Sequence, residues 1–253
     1  MLEGFNVLTF DYRGWGDSDG SLVQIQDRET TSYQNLAREQ DKTEQQPITT
    51  TIKVRIIRQT VDMTWQLEDI DAAVSYILSL SKFKKIGLWG TSQAGGHVLE
   101  YAGRDPENIS CVVSQVPSVG KNGAGGIHGL SKEIFESRIK AASSGWIPAG
   151  AKEFHLPAMD GAPLLRKLQW YDPLLSCARI RSPTLIIDSE NEELWDRSKN
   201  GKAAFDLIPP LTPKKYHVLR NSNHYDAYDK SAKEAREVAV EFFKFHLASM
   251  SKF

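Results

Sequence analysis

Gly90-Thr91-Ser92-Gln93-Ala94-Gly95-Gly96-His97 has the composition of a sharp turn between a buried strand and a helix. Upstream, Lys85-Ile86-Gly87-Leu88-Trp89 reads as a short buried strand, and downstream Val98, Leu99, Tyr101 and Ala102 follow the glycine pair at helical spacing. A serine on such a turn has its hydroxyl pushed out to where a base can reach it. Small neighbours are needed there because a tight turn and close helix packing leave no room for branched side chains. The pattern departs from G-x-S-x-G once: Ala94 stands at the second glycine, the mildest replacement available. The alternative is an ordinary Gly-rich strand-to-helix turn with a surface serine; the strand and helix on either side favour the elbow.

Working outward, elements alternate. Residues 1–11 carry Phe5, Val7, Leu8 and Phe10 and read as a buried strand, followed by a turn-rich loop at 11–20. Residues 62–80 predict an amphipathic helix with Leu67, Ile70, Val74, Ile77 and Leu78 on one face. Further strands are expected at 86–89, 110–115, 184–188 and 216–219. Helices are expected at 131–142 and at 230–247, the latter with Ala235, Val238, Phe242 and Phe245 inward, and 145–170 reads as irregular. Strands alternating with helices imply a mostly parallel sheet covered on both faces. Residues 28–60 fit poorly, being polar up to Pro47 and then alternating as a strand over 49–57.

Serine holds its proton at neutral pH, so it needs an imidazole in reach and a carboxylate to orient that imidazole. In parallel sheets such groups lie on loops at the carboxyl ends of strands. Of six histidines, His224 satisfies this, in Arg220-Asn221-Ser222-Asn223-His224-Tyr225-Asp226 after the last strand. His97 lies in the helix after the turn, where packing or capping is expected; His217 is inside a strand and His246 in the last helix. His128 and His155 fall in the middle region. The acid should follow the strand at 184–188. Glu192 sits four residues past its end, whereas Glu190, Glu193 and Asp196 read as loop charges or a cap for the helix starting near Lys199. Ser92, Glu192 and His224 thus fall at three strand ends in the chain order that accompanies this elbow.

Those residues bring a family into view. From its first strand onward the chain resembles the α/β-hydrolase superfamily, and Gly90–Val98 looks like the subgroup whose elbow reads G-T-S-x-x-G-G-H. That subgroup includes dienelactone-hydrolase-like and Xaa-Pro-peptidase-like proteins and polyketide transferases of fungal natural-product pathways. Asp11-Tyr12-Arg13-Gly14-Trp15-Gly16-Asp17-Ser18-Asp19-Gly20 resembles the loop after that family's fourth strand, with Asp11 and Arg13 structural. The resemblance implies Ser92 as nucleophile, His224 as base, Glu192 as acid and the Gln93 backbone N–H as one oxyanion donor. It also implies three strands preceding the first one here, with a His-Gly loop carrying the second oxyanion donor, so the fold is expected to be an N-terminally truncated α/β-hydrolase sheet. Residues 28–60 would then be either a substitute strand or, the favoured reading, an insertion foreign to the fold. The whole of 1–253 reads as one domain, with 117–175 where this fold inserts its cap. There Trp146, Phe154, Trp170 and Tyr171 are candidate substrate-binding residues for an apolar acyl group, together with Ile147, Leu156 and Met159. Gly123-Ala124-Gly125-Gly126 lacks the Lys of a phosphate loop and reads as a hinge at the cap.

Composition is consistent with this. The 253 residues are 40% hydrophobic and 25% charged with net charge -1, a balance that favours neither nucleic acid nor an anionic membrane. No apolar run spans a bilayer, no secretory leader is recognisable, and Cys111 and Cys177 lack metal-ligand spacing, so a cytoplasmic protein with buried thiols is expected. The expected activity is serine-dependent cleavage of an ester, thioester or lactone of an apolar, polyketide-like acyl group, or its transfer to an alcohol; a non-catalytic remnant of the fold is the contrasting expectation. No metal or organic cofactor is implied. The expected partner is a small-molecule acyl substrate, free or on an acyl-carrier protein.

Overall fold

The computed structural model describes residues 4–19, 21–24, 54–57, 60–83, 85–104, 107–119, 162–163 and 171–247. In chain order the strands are Ser21–Gln24 (β1), Val54–Ile57 (β2), Thr60–Val61 (β3), Ile86–Thr91 (β4), Ile109–Gln115 (β5), Ala162–Pro163 (β6), Thr184–Ser189 (β7) and Lys214–Leu219 (β8). The helices are Met63–Ser79 (α1), Gln93–Gly103 (α2), Pro173–Cys177 (α3), Gly201–Leu207 (α4) and Ala232–Leu247 (α5). The chain forms two compact units, one of residues 1–10, 61–148 and 163–253, the other of 11–60 and 149–162.

The first unit holds a four-stranded sheet in the order β4-β5-β7-β8, parallel throughout. Alternation along β5 covers both of its faces. Cys111 and Val113, with Leu185, Ile187 and Leu219, meet Ala235, Ala239, Phe242 and Phe243 of α5. Between them Ser114 turns to α2, its hydroxyl donating to the Gly95 carbonyl at 2.9 Å. Helix α1 starts where Asp62 caps it, accepting from Thr64 N at 2.9 Å and Trp65 N at 3.4 Å, and it buries Met63, Leu67, Ile70 and Val74. Cys111 and Cys177 are buried free thiols, and burial pushes each up to about 12.

Two expectations are corrected here, and one of two alternatives is not met. Residues 5–10 are not a strand: they pair with no strand among the described residues, and Val7 is 71% exposed, with Leu8 and Phe10 also exposed. An apolar run becomes a strand only where a neighbour takes its backbone hydrogen bonds, and here only Phe5 packs inward, edge-on to Phe243 at 6.2 Å. In α5 Ala235, Val238 and Phe242 face the core as expected, but the buried face extends to the other side of them and not to Phe245. Ala239 and Phe243 point inward, whereas Phe245 is 80% exposed. The substitute-strand alternative for 49–57 is not met by the pairing of β2 among the described residues. That strand pairs antiparallel with β1, Val54 opposite Gln24, within the second unit, and β4 is the outer strand among the described residues.

In the second unit the 11–19 loop is organised around Asp11, which accepts from Asp17 N at 3.2 Å through its carboxylate and from the Ser18 hydroxyl at 2.7 Å through its carbonyl. That is the structural role expected for it. The helix expected at 131–142, the Gly123–Gly126 hinge and nearly all of the irregular 145–170 stretch lie outside the described residues, as do Trp146, Phe154, Trp170, His128 and His155. No helix among the described residues is long and apolar enough to cross a membrane.

Candidate active site

Ser92 sits between β4 and α2 with φ 54° and ψ −120°. A non-glycine residue rarely adopts this conformation, and it persists where surrounding structure over-determines it. Here three backbone bonds do so: Ser92 N donates to Gln115 O at 2.9 Å, and Ser92 O accepts from Ser118 N at 3.0 Å and Gly96 N at 3.3 Å. Space on the inner side is filled, because a Cβ at Gly90 would overlap the carbonyl of Ala94. As the first residue of α2, Gln93 has a backbone N–H with no partner within the helix, and it follows Ser92 directly.

The loops after β7 and β8 meet in several hydrogen bonds. His224 Nδ1 lies 2.8 Å from Glu192 Oε2, and the two side chains are 2% and 1% exposed. Glu192 is itself fixed by accepting Leu194 N at 3.0 Å. Glu193 accepts the His224 backbone N–H at 2.7 Å, and Glu190 accepts from Asn221 N at 2.8 Å and Arg220 Nη1 at 2.7 Å. Both were expected to be solvated loop charges; instead each ties one loop to the other. Asp196 does cap the turn at Arg197–Lys199, accepting Ser198 N at 2.9 Å. Aromatic rings enclose the imidazole: Trp195 at 4.7 Å, Tyr225 at 5.2 Å and Tyr228 at 5.9 Å between centroids.

Tyr228 lies against the imidazole from the turn that follows it, and partial burial is the main cause raising its phenol above the ordinary range. The turn that carries it, Tyr225–Tyr228, is held by Gln115 Nε2, which donates to Ala227 O at 3.1 Å. Gln115 therefore anchors both Ser92, through its carbonyl, and the tyrosine turn, through its side chain.

A family model for the alpha/beta hydrolase fold matches residues 2–128. The chain belongs to the α/β-hydrolase fold family. An uncharacterized 31.7 kDa Escherichia coli protein is 25% identical over 96% of this chain and 82% of its own length. Quorum-quenching protein AidA of Acinetobacter baumannii is 35% identical over 119 residues, 46% of this chain and 27% of that protein. Among solved structures, Est1E from Butyrivibrio proteoclasticus with bound ferulic acid superposes with a TM-score of 0.58 at 19% identity, covering 75% of this chain and 70% of that one.

On this α/β-hydrolase sheet, then, two of the three residues chosen from sequence, Glu192 and His224, are in direct contact, and the third, Ser92, stands at the turn between β4 and α2. Tyr171, expected to line an acyl pocket, is 2% exposed, and its hydroxyl meets His97 Nδ1 at 2.7 Å. His97 Nε2 in turn contacts Gln66 Oε1 at 2.8 Å, which also accepts from Gln93 Nε2 at 3.3 Å. Burial lowers His97 to about 3, so the ring is neutral; with the Gln66 oxygen an acceptor, Nε2 carries the proton and Nδ1 accepts from the phenol. His97 is thus the packing residue that its helix position suggested. Tyr228, Gln115 and Gln66 were missed from sequence. Only Gln115, a polar residue closing an apolar strand, carried a local signal.

Proposed function

We propose that this protein is a serine-dependent hydrolase of ester, thioester or lactone bonds in small acyl substrates, working through an acyl-enzyme. The observation that carries the reading is the buried 2.8 Å contact between His224 Nδ1 and Glu192, in a chain that also holds a serine at φ 54° on the turn after β4. A carboxylate on Nδ1 fixes the tautomer that leaves Nε2 as proton acceptor. Ser92 Oγ gives its proton to His224 Nε2 and bonds to the substrate carbonyl carbon. The Gln93 N–H, at the positive end of α2, donates to the oxygen that becomes negative. His224 then protonates the leaving group, and water repeats the sequence to release the acid. Trp195, Tyr225 and Tyr228 around the imidazole keep that exchange away from bulk water.

Labelling by a fluorophosphonate probe, with Ser92→Ala alongside, tests the reading. Labelling of the parent and none of the variant is the expected result; a folded parent that takes no label overturns it. A panel of p-nitrophenyl esters, acyl thioesters and lactones then ranks the substrate class. Quorum signals belong in the panel because one relative is a quorum-quenching protein.

A further inference from the structure

Strands β7 and β8 carry Glu192 and His224 beyond their carboxyl ends. Ahead of their amino ends, where the end of α2 meets the segments leading into β7 and β8, lies an open cavity of about 750 Å³. Arg104, Arg179 and Arg181 line it, and no Asp or Glu is among its described lining residues. Exposed arginines are common and by themselves mean only hydration. Here two of the three are held in fixed orientation from behind. Glu100, 3% exposed, accepts Arg104 Nε and Nη2 on one oxygen, at 2.9 and 2.7 Å, and the Ser176 hydroxyl on the other at 2.7 Å. Ser176 Oγ in turn accepts Arg179 Nη2 at 3.1 Å, and the Gly103 carbonyl accepts Arg179 Nε at 3.0 Å. One buried carboxylate thus orients two guanidinium groups, one directly and one through a hydroxyl, and balances the charge of only one. Arg179 is held by neutral acceptors alone, and Nη1 of both arginines takes no part in the network.

We propose that this cavity is a second binding site, at the end of the sheet opposite Ser92, for a small phosphate monoester whose apolar part lies against Leu211 and Pro209. A concavity lined by charge of one sign concentrates its field on an incoming ion. Guanidinium forks already fixed in place lose little freedom when they bind one. A carboxylate has two oxygens and fills a single fork. A phosphate monoester offers three oxygens and a charge of about −1.5 to −2 near neutral pH, so Arg104 and Arg179 can donate to it together while Arg181 adds a third cation. Leu211, 97% exposed at the same cavity, supplies an apolar surface for the rest of the molecule. The site stands independently of the serine-hydrolase reading, since none of its residues belongs to that chemistry.

Isothermal titration at fixed ionic strength with phenyl phosphate, inorganic phosphate and benzoate tests this. The expected result is saturable one-to-one binding of phenyl phosphate, tighter than inorganic phosphate, which lacks the ring, and tighter than benzoate, which lacks the phosphate. Arg179→Gln should weaken phenyl phosphate by at least ~10-fold, the loss that follows from one charged hydrogen bond. That variant also gives up two internal bonds, so Arg181→Gln and Leu211→Asp, which leave the Glu100–Ser176 network intact, are titrated beside it and should weaken binding as well. Ser92→Ala should bind phenyl phosphate as the parent does. No saturable binding by the folded parent overturns the proposal, as does binding that Arg181→Gln and Leu211→Asp leave unchanged, or binding that Ser92→Ala abolishes. Benzoate binding as tightly as phenyl phosphate overturns the assignment of phosphate, and inorganic phosphate binding as tightly overturns the role given to Leu211 and Pro209.

Discussion

A methyl group at position 90 would overlap the Ala94 carbonyl and press on Val98 Cγ1 at 2.9 Å, so even alanine must push α2 away from β4. Overpacking of this kind costs about 1–3 kcal/mol, and here the displaced atoms adjoin Ser92, the proposed nucleophile. Gly90→Ala is therefore expected to lower the melting temperature by several degrees and to slow fluorophosphonate labelling at least ~10-fold in the protein that remains folded. Unchanged labelling would mean that the turn adapts without moving Ser92. Glu192→Gln probes the other half of the site. The amide keeps the shape, but it removes the charge and can present an N–H to His224 Nδ1, which favours the wrong tautomer. A fall in kcat approaching ~10⁴-fold, with little change in melting temperature, is expected in steady-state ester hydrolysis. The three residues of this site were legible in the sequence because each is marked locally, Ser92 by its glycines and Glu192 and His224 by their distance from strand ends. Tyr228 was not, since a tyrosine in a short 3₁₀ turn has no pattern of its own and acquires meaning only when Gln115 brings that turn to the elbow.

Helix α2 shows how an element can serve both site and scaffold. Its first turn presents Gln93 and Ser92 to solvent-facing chemistry, while its last turn is pinned to α3. There Glu100, 3% exposed, accepts the Ser176 hydroxyl at 2.7 Å and Arg104 Nε and Nη2 at 2.9 and 2.7 Å. Gly103 completes the contact, since a Cβ there would overlap the Ser176 carbonyl. Removing Glu100 leaves the buried Ser176 O–H without its acceptor, although Ser176 Oγ still accepts from Arg179 Nη2 at 3.1 Å, and leaves Arg104 without its partner, although Arg104, with its side chain 43% exposed, regains water. Glu100→Ala is accordingly expected to cost about 2 kcal/mol in urea unfolding, less than a fully buried pair, with kcat per folded molecule unchanged. A variant as stable as the parent would show that the pair contributes nothing net. Periodicity predicted α1, α2, α5 and the four sheet strands to within a few residues, because burial on a repeating face is written into the sequence. It missed the five-residue α3, and it failed at residues 5–10, whose apolar side chains look like a strand but lack a described neighbour to pair with, and at Phe245, which the spacing put on the buried face of α5 and which is exposed.

Among the described residues, two buried titratable groups with opposite shifts act on stability between about pH 3 and 7. His97, lowered by burial to about 3, is neutral in the native state but protonated in the unfolded chain below about pH 6.5, so its contribution is present above that pH and is lost as pH falls toward 3. Asp188 behaves inversely. Burial raises it to about 7, against the smaller opposing effect of the Tyr216 hydroxyl, which donates to Oδ2 at 2.6 Å, while Oδ1 is buried without a partner. Native Asp188 therefore holds a proton that the unfolded chain has released, and its contribution is present below about pH 4 and lost as pH rises to about 7. Between roughly pH 4 and 6.5 the native state binds one proton more at Asp188 and one fewer at His97, so the two slopes cancel and stability from this pair is flat. The carboxylates of Glu190, Asp196 and Asp226, each held low chiefly by hydrogen bonds at the surface, act mainly below that window. Asp188→Asn keeps the acceptor for Tyr216 and deletes one of the two slopes. The variant should therefore gain stability with rising pH across the interval where the parent does not. Urea unfolding at about pH 5 and about pH 7.5 reads this directly: the variant's stability relative to the parent must be greater at the higher pH, and a difference that does not move with pH would mean that Asp188 is ionised in the native state throughout.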